Sequence, residues 1–233
     1  MVTDNAANQL RAIRLSKHKS IGCVAHTIQL SIEDSLTECP AIKDVLHKCE
    51  RIVKYFKKSN KAYKKLVDAQ RQLGLKELKL LQNVKTRWNS EFYLLQRVFE
   101  NKQALKLALT NYSHLPTLCA EEWLTIDELI DVLSPVEAAT RLICGSSYST
   151  ISTVIPVIQS ISDEIKSMVF KSKIILKFRA NLIKSFDDRF DHIETHPLMN
   201  VATLLDPRKR FIISLSLNFL CIYVVYLKNL LLI

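Results

Sequence analysis

The chain has 233 residues and a formal net charge of +10, from 33 lysines and arginines against 23 acidic residues. A hydrophobic content of 48% with only 3 glycines and 6 prolines excludes a disordered or collagen-like chain. So few glycines also argue against a β-sandwich or barrel with many tight turns, and the sequence contains no Gly-rich phosphate loop. We therefore predict a mostly helical protein.

The first forty residues predict two short strand-to-helix units. Residues 2–3 begin with a β-branched pair, and the sequence becomes helical in character through residues 9–15, with Asp4 at the junction. Residues 20–24 are short and apolar, and the helical spacing that follows places His26 at the start of a helix. Asp4 and His26 are the candidate catalytic residues.

Residues 40–67 predict one amphipathic helix with a basic outer face. Apolar residues repeat at three and four positions, and lysines fill the positions between them. Residues 48–79 hold eleven lysines and arginines against three acids. Such a block indicates either a solvated face or a polyanionic partner. The candidate phosphate contacts are Lys54, Lys57, Lys58, Lys61, Lys64 and Lys65.

The rest of the chain continues the helical pattern. We predict helices over residues 88–110, 121–144, 151–166 and 173–191, with a break or kink at Pro135. Residues 121–137 carry six acids and no lysine or arginine, so the sequence predicts a molecule with one basic and one acidic side.

The six cysteines are widely spaced, without a C-x-x-C pair, and indicate free thiols in a reducing compartment. The spacing of Cys23 and His26 allows a zinc site with downstream residues Cys39, His47 and Cys49, but no second ligand pair at a recognised spacing supports it. Free thiols are therefore the favoured interpretation.

Residues 211–227 carry no charge and have the minimum length of a membrane-spanning segment. A tail-anchored helical membrane protein is one alternative. A buried terminal element and a tail foreign to the original reading frame are the others.

Several blocks of sequence, taken together, carry a family resemblance. They lie at residues 2–8 (VTDNAAN), 23–30 (CVAHTIQL), 86–97 (TRWNSEFYLLQR), 133–140 (LSPVEAAT), 148–156 (YSTISTVIP) and 202–208 (ATLLDPR). In this order the set resembles the hobo/Activator (hAT) superfamily of DNA transposases, and in particular their domesticated relatives, the zinc-finger BED domain-containing proteins.

The resemblance implies an RNase H-like α/β core interrupted by a large all-helical insertion. It assigns residues 1–38 to a partial core, 39–205 to the insertion and 206–233 to a divergent hydrophobic tail. In the intact family core, two Asp and one Glu hold Mg²⁺ or Mn²⁺ for strand transfer. Asp4 resembles the second of these acids, and His26 resembles a histidine beside them. Because the other two acids have no counterpart here, we expect a non-enzymatic fragment without a cofactor.

The resemblance also implies a DNA partner. Trp88 matches an aromatic residue that stacks on a flipped base, and the neighbouring Arg87 is suited to a phosphate contact. The residues alone leave two structural alternatives, since Asp4 could cap a helix and Trp88 could pack in the core with Phe92 and Leu95.

The leading hypothesis is therefore a nuclear fragment that binds DNA or takes part in transcription-related protein interaction. It predicts a homo- or hetero-oligomer and neither a small-molecule substrate nor a membrane partner. The enzymatic alternative is an active transposase site completed by missing segments or another chain.

Overall fold

The computed structural model describes residues 21–84, 87–145, 151–191, 193 and 195–207, together with residues 2–3, 8, 11 and 15. The described part of the chain is mostly helical, which confirms the predicted class. Its helices are α1 (Val24–Thr37), α2 (Pro40–Lys58), α3 (Asn60–Gln72), α4 (Trp88–Glu100), α5 (Lys102–Leu109), α6 (Ala120–Ile143), α7 (Ile151–Ser167), α8 (Lys173–Phe190) and α9 (Pro197–Leu205).

Two very short strands precede these helices. Strand β1 (Val2–Thr3) pairs in parallel with β2 (Ile21–Gly22), with Val2 opposite Ile21 and Thr3 opposite Gly22. Parallel neighbours require a crossover connection, and helical residues at positions 8, 11 and 15 lie within it. The predicted strand before α1 is thus confirmed. The RNase H-like core and the three domain boundaries stay predictions.

The basic segment forms two helices, so the prediction of one continuous helix over residues 40–67 is wrong. Ser59 is extended, with φ −108° and ψ 110°, and its hydroxyl accepts a hydrogen bond from the backbone N–H of Ala62 at 3.2 Å. This bond satisfies an amide at the start of α3 that has no partner within the helix. The apolar spacing of the sequence continues across the break. Both helices use these residues for packing, since α2 and α3 contact each other.

A similar break at Asn101 divides the helix predicted over residues 88–110. Asn101 is buried, donates a hydrogen bond to the carbonyl of Arg97 at 2.8 Å and accepts one from Gln70 Nε2 at 2.5 Å. The link to Gln70 ties this corner to α3. Pro135, by contrast, lies within the uninterrupted helix α6, so the predicted break there does not occur.

One hydrophobic core joins the described helices. Helix α2 packs against α1, α3 and α4, while α6 contacts α4, α7 and α8. Helix α1 packs closely on α8, where Asp34 accepts a hydrogen bond from Arg189 at 2.6 Å. Within the described ranges, no helix has the length and apolar character needed to cross a membrane. The predicted tail anchor lies outside those ranges.

Candidate nucleic-acid interface

Six lysines line the end of α2 and the start of α3, and we call them the lysine ridge. Its members are Lys54, Lys57, Lys58, Lys61, Lys64 and Lys65. All of them are exposed except Lys65, which is half-buried. They project outward because the opposite face of each helix carries the apolar residues of the core, including Phe56 and Leu66.

The ridge carries positive charge that the protein itself does not neutralise. Within the described part of the chain, no ridge lysine forms a salt bridge with an acid. Lys65 donates a hydrogen bond to Asn111 Oδ1 at 3.0 Å, which leaves its charge uncompensated. Lys48, earlier on α2, differs because its ammonium contacts Glu122 at 2.6 Å. The ridge is therefore a free cationic surface.

A second feature is a cleft of about 650 Å³ that brings together three of the predicted site residues, His26, Arg87 and Trp88. Arg141 of α6 also lines it, and we call it the arginine cleft. His26 lies in the first turn of α1, and Arg87 precedes α4. Sequence reasoning missed Arg141, since only the packing of α6 brings it to this cleft.

Arg141 is held by an acidic residue beneath it. Its Nε lies 2.9 Å from Glu137 Oε1, and the same carboxylate accepts a hydrogen bond from the Tyr93 hydroxyl. This hydrogen bond is the main cause that raises the pKa of Tyr93. Glu137 is buried, whereas the Arg141 side chain is 69% exposed. The guanidinium is therefore fixed at its base and open to a ligand.

Trp88 forms a wall of the arginine cleft and is largely enclosed. It is 7% exposed, and its ring lies edge-on to Phe92 with centroids 6.4 Å apart. Its indole N–H is buried without a hydrogen-bond partner among the described residues. Trp88 therefore packs in the core, as the structural alternative proposed, and contact with a DNA base stays a prediction.

Trp88 and Arg87 also line a neighbouring cleft of about 590 Å³, the glutamate cleft, which contains Glu33, Glu50 and Glu91. Burial raises the pKa of Glu91 to about 7, with Glu50 and Glu33 adding to the rise. Lys43 acts in the opposite direction. The arginine cleft is thus lined by two guanidinium groups and its neighbour by three carboxyl groups.

The catalytic and metal predictions receive no support from the described geometry. Asp4 lies outside the described residues. No group of three or more His, Cys, Asp or Glu in the described ranges is arranged to hold a metal ion, and the metal-binding role of Asp4 stays a prediction. Burial raises the pKa of the Cys49 thiol to about 12, as expected for a free thiol in the core.

The six acids of residues 121–137 are only in part exposed to solvent. Glu128 and Glu137 are buried, and Glu122 pairs with Lys48. Glu128 accepts hydrogen bonds from the backbone N–H groups of Lys171 at 2.7 Å and Ser172 at 3.0 Å, at the start of α8. These three carboxylates serve tertiary contacts, whereas Glu121 and Asp131 are exposed and Asp127 is half-buried, so the prediction of one basic and one acidic side stays a prediction.

The amino-acid sequence is similar to those of known proteins. Residues 21–132 match the family model of the ZBED1 RNase-like helical domain. Zinc finger BED domain-containing protein 4 from Homo sapiens is 27% identical over 207 residues, which cover 89% of this chain and 18% of that protein. Zinc finger BED domain-containing protein 6 from Homo sapiens is 25% identical over 218 residues, covering 89% and 22% respectively.

A transposase is also among the relatives. The putative AC transposase of Zea mays is 26% identical over 197 residues, which cover 83% of this chain and 24% of that protein. The chain spans about a fifth of the length of the two human relatives. These matches confirm the resemblance to BED-type zinc-finger proteins and hAT transposases.

Proposed function

We propose that this relative of BED-type zinc-finger proteins and hAT transposases binds DNA through its lysine ridge. The observation that carries the proposal is the exposure of five ridge lysines, at positions 54, 57, 58, 61 and 64, without a salt bridge to any described acid. Surface cations of a folded protein often pair with nearby carboxylates, whereas a set left free on adjacent helices suits a phosphate backbone.

The helix termini also contribute to the positive electrostatic potential of the lysine ridge. Lys57 and Lys58 lie in the last turn of α2, where cations stabilise the helix. Lys61 and Lys64 lie at the start of α3, where the helix dipole already presents positive charge and no acid occupies the first turn. These two lysines oppose the stability of α3, and bound phosphate would relieve that repulsion.

The arginine cleft supports a second contact with the same partner. Arg87 and Arg141 present guanidinium groups that suit phosphate oxygens. We assign the ridge the sequence-independent affinity, and the cleft the positioning of the strand. This proposal implies that the protein is located in the nucleus.

The N-terminal segment bears on whether the protein also cleaves DNA. The parallel pairing of β1 with β2 supports a remnant of an RNase H-like core within residues 1–38. Asp4 is the one metal-binding acid that the resemblance assigns to this chain, so we propose binding without strand cleavage. Association with a second chain stays a prediction.

The test is fluorescence-anisotropy binding to a labelled duplex over a salt series. The ridge variant K57E/K61E/K64E is compared with a matched control, K171E/K173E/K184E, which reverses the same number of exposed charges beside and on α8. Helix α8 packs against α1, α6 and α7, away from the ridge. We expect affinity to fall steeply with salt, and the ridge variant to lower the log–log slope by roughly 3.

The control variant should keep both its affinity and most of its salt dependence. Equal losses in the two variants would contradict a localised interface, since they would indicate a response to net charge alone. Absence of salt-sensitive binding in the wild-type protein would overturn the proposal.

A further inference from the structure

Three aromatic rings meet beside the lysine ridge. Tyr55 lies on α2, while Tyr112 and His114 lie in the connection between α5 and α6. The Tyr55 ring centroid is 5.1 Å from that of Tyr112 and 5.0 Å from that of His114, in edge-to-face geometry. His114 is exposed and the two tyrosines are half-buried, so the cluster, which we call the aromatic platform, reaches the surface.

Cationic side chains surround this platform. Lys65 Nζ lies 5.6 Å from the ring centroid of Tyr112. On α2, Arg51 precedes Tyr55 by four residues and Lys58 follows it by three, so both lie on the same side of the helix as the ring. Arg51 and Lys58 are exposed, and a helix places them roughly 10 Å apart. The rings thus stand between cations.

We propose that the aromatic platform stacks an unpaired DNA base while Arg51 and Lys58 contact the flanking phosphates, so that the surface prefers single-stranded DNA. Every base presents a π face, and aromatic rings interleaved with cations are the usual means of holding a strand without reading its sequence. A base within a duplex is already stacked on its neighbours and cannot use the rings. The inference rests on the proposed function and names the form of DNA bound.

The platform is held in place by the protein itself. The N–H of Tyr112 donates to the carbonyl of Leu109 at 2.9 Å, and the N–H of Leu115 donates to the carbonyl of Tyr112 at 3.1 Å. Tyr112 also packs edge-to-face on the buried Phe56, with centroids 5.9 Å apart. Because these contacts order the rings before DNA arrives, binding costs less conformational entropy.

Substitution of His114 distinguishes a role of the platform in binding from a role in packing. The two tyrosines pack against the hydrophobic core, so part of their contribution is structural. His114 is exposed, and the core does not require its ring. Loss of the His114 ring should therefore leave folding intact and change stacking.

The experiment compares H114A with H114F in the full chain, using a labelled oligothymidine strand and a duplex of equal length. We expect H114A to weaken single-strand binding by about tenfold, to leave duplex binding unchanged, and H114F to retain the wild-type preference. A second variant, Y55L, keeps apolar volume without an aromatic face and should behave like H114A. Thermal unfolding verifies that each variant is folded.

A strand that carries 2-aminopurine gives an independent measure of stacking. Its fluorescence should be quenched on binding to the wild-type protein and restored in H114A at saturating protein. Equal affinity of the wild-type protein for single strand and duplex, with H114A and Y55L unaffected, would overturn the inference. If K57E/K61E/K64E still weakened both DNA forms in that case, the proposed function would stand without it.

Discussion

The lysine ridge and the acidic stretch of α6 are both dense runs of one charge on amphipathic helices, but the structure uses them differently. The ridge lysines project from α2 and α3 and have no described acid as a partner. Two of the six acids of α6 are buried, where Glu128 bonds to the start of α8 and Glu137 bonds to Tyr93 and Arg141, and a third, Glu122, pairs with Lys48. A charge run in a sequence therefore indicates a ligand only when tertiary neighbours leave it unpaired.

The largest expected effect is that of Glu128. The side chain is 7% exposed and accepts two backbone hydrogen bonds. E128A therefore removes a buried carboxylate and leaves two backbone N–H groups without an acceptor. We expect the free energy of unfolding to fall by about 3 kcal/mol, measured by urea denaturation. The exposed Glu121 on the same helix is the control, and E121A should change stability by about 0.5 kcal/mol or less. Equal effects of E128A and E121A would contradict a structural role for the buried Glu128 carboxylate.

Glu91 gives the next effect, and it depends on pH. Its pKa is about 7 in the folded protein, above the ordinary value of 4.5, because the site is buried and faces Glu50 and Glu33. Between these two values the folded protein binds more protons than the unfolded chain, so stability falls as pH rises from 4.5 to about 7. E91Q should remove this fall and be more stable by about 2 kcal/mol near pH 8.

Thermal unfolding of wild type and E91Q across this range measures the effect. A wild-type stability that rises through the same window, with no difference from E91Q, would show that Glu91 is ionised in the folded protein. The glutamate cleft would then carry the full negative charge of three carboxylates.

Helix α2 meets the acidic stretch of α6 at Lys48 and Glu122, with an N–O distance of 2.6 Å. Burial alone would raise the pKa of Glu122, but hydrogen bonds from Lys48 and the Cys119 backbone outweigh it and lower the pKa. Because Lys48 is 37% exposed, a double-mutant cycle of K48A and E122A should give a coupling energy of about 0.5–1 kcal/mol. A coupling near zero would make this contact incidental.

The smallest effect on stability is expected for the ridge itself. K57E/K61E/K64E alters exposed side chains only, so the free energy of unfolding should change by about 0.5 kcal/mol or less. The Lys61 and Lys64 changes place anions near the start of α3, which offsets the cost at the end of α2. Urea midpoints of wild type and variant test this. A loss of several kcal/mol would show that the ridge is structural.

The helical elements were predictable because each buries a stripe of apolar residues at helical spacing. The breaks at Ser59 and Asn101 were harder, since the apolar period continues through both positions. Ser59 carries a local signal, because serine is a favoured residue before a helix. Asn101 carries a similar signal, since asparagine is equally favoured there, but its side chain makes no capping bond to α5 and instead bonds to Gln70, 31 positions away.

The candidate site could likewise be predicted from the sequence only in part. The ridge lysines could be predicted from composition and spacing, because exposure follows from the amphipathic pattern of the helices. Their freedom from salt bridges could not, since it depends on where tertiary packing places the acids. Likewise His26, Arg87 and Trp88 were each singled out in the sequence, but only tertiary packing places them in one cleft with Arg141.

The packing of α1 on α8 has a consequence for how the protein can be divided. The family match covers residues 21–132 and thus ends before α7 and α8. Yet Asp34 of α1 bonds to Arg189, the carbonyl of Glu38 accepts a hydrogen bond from Lys177, and Glu128 bonds the amide of Ser172. Removal of the residues after 132 would expose the apolar face of α1 and leave Glu128 without its donors. The region that the family model matches is therefore shorter than the packed unit that these contacts define.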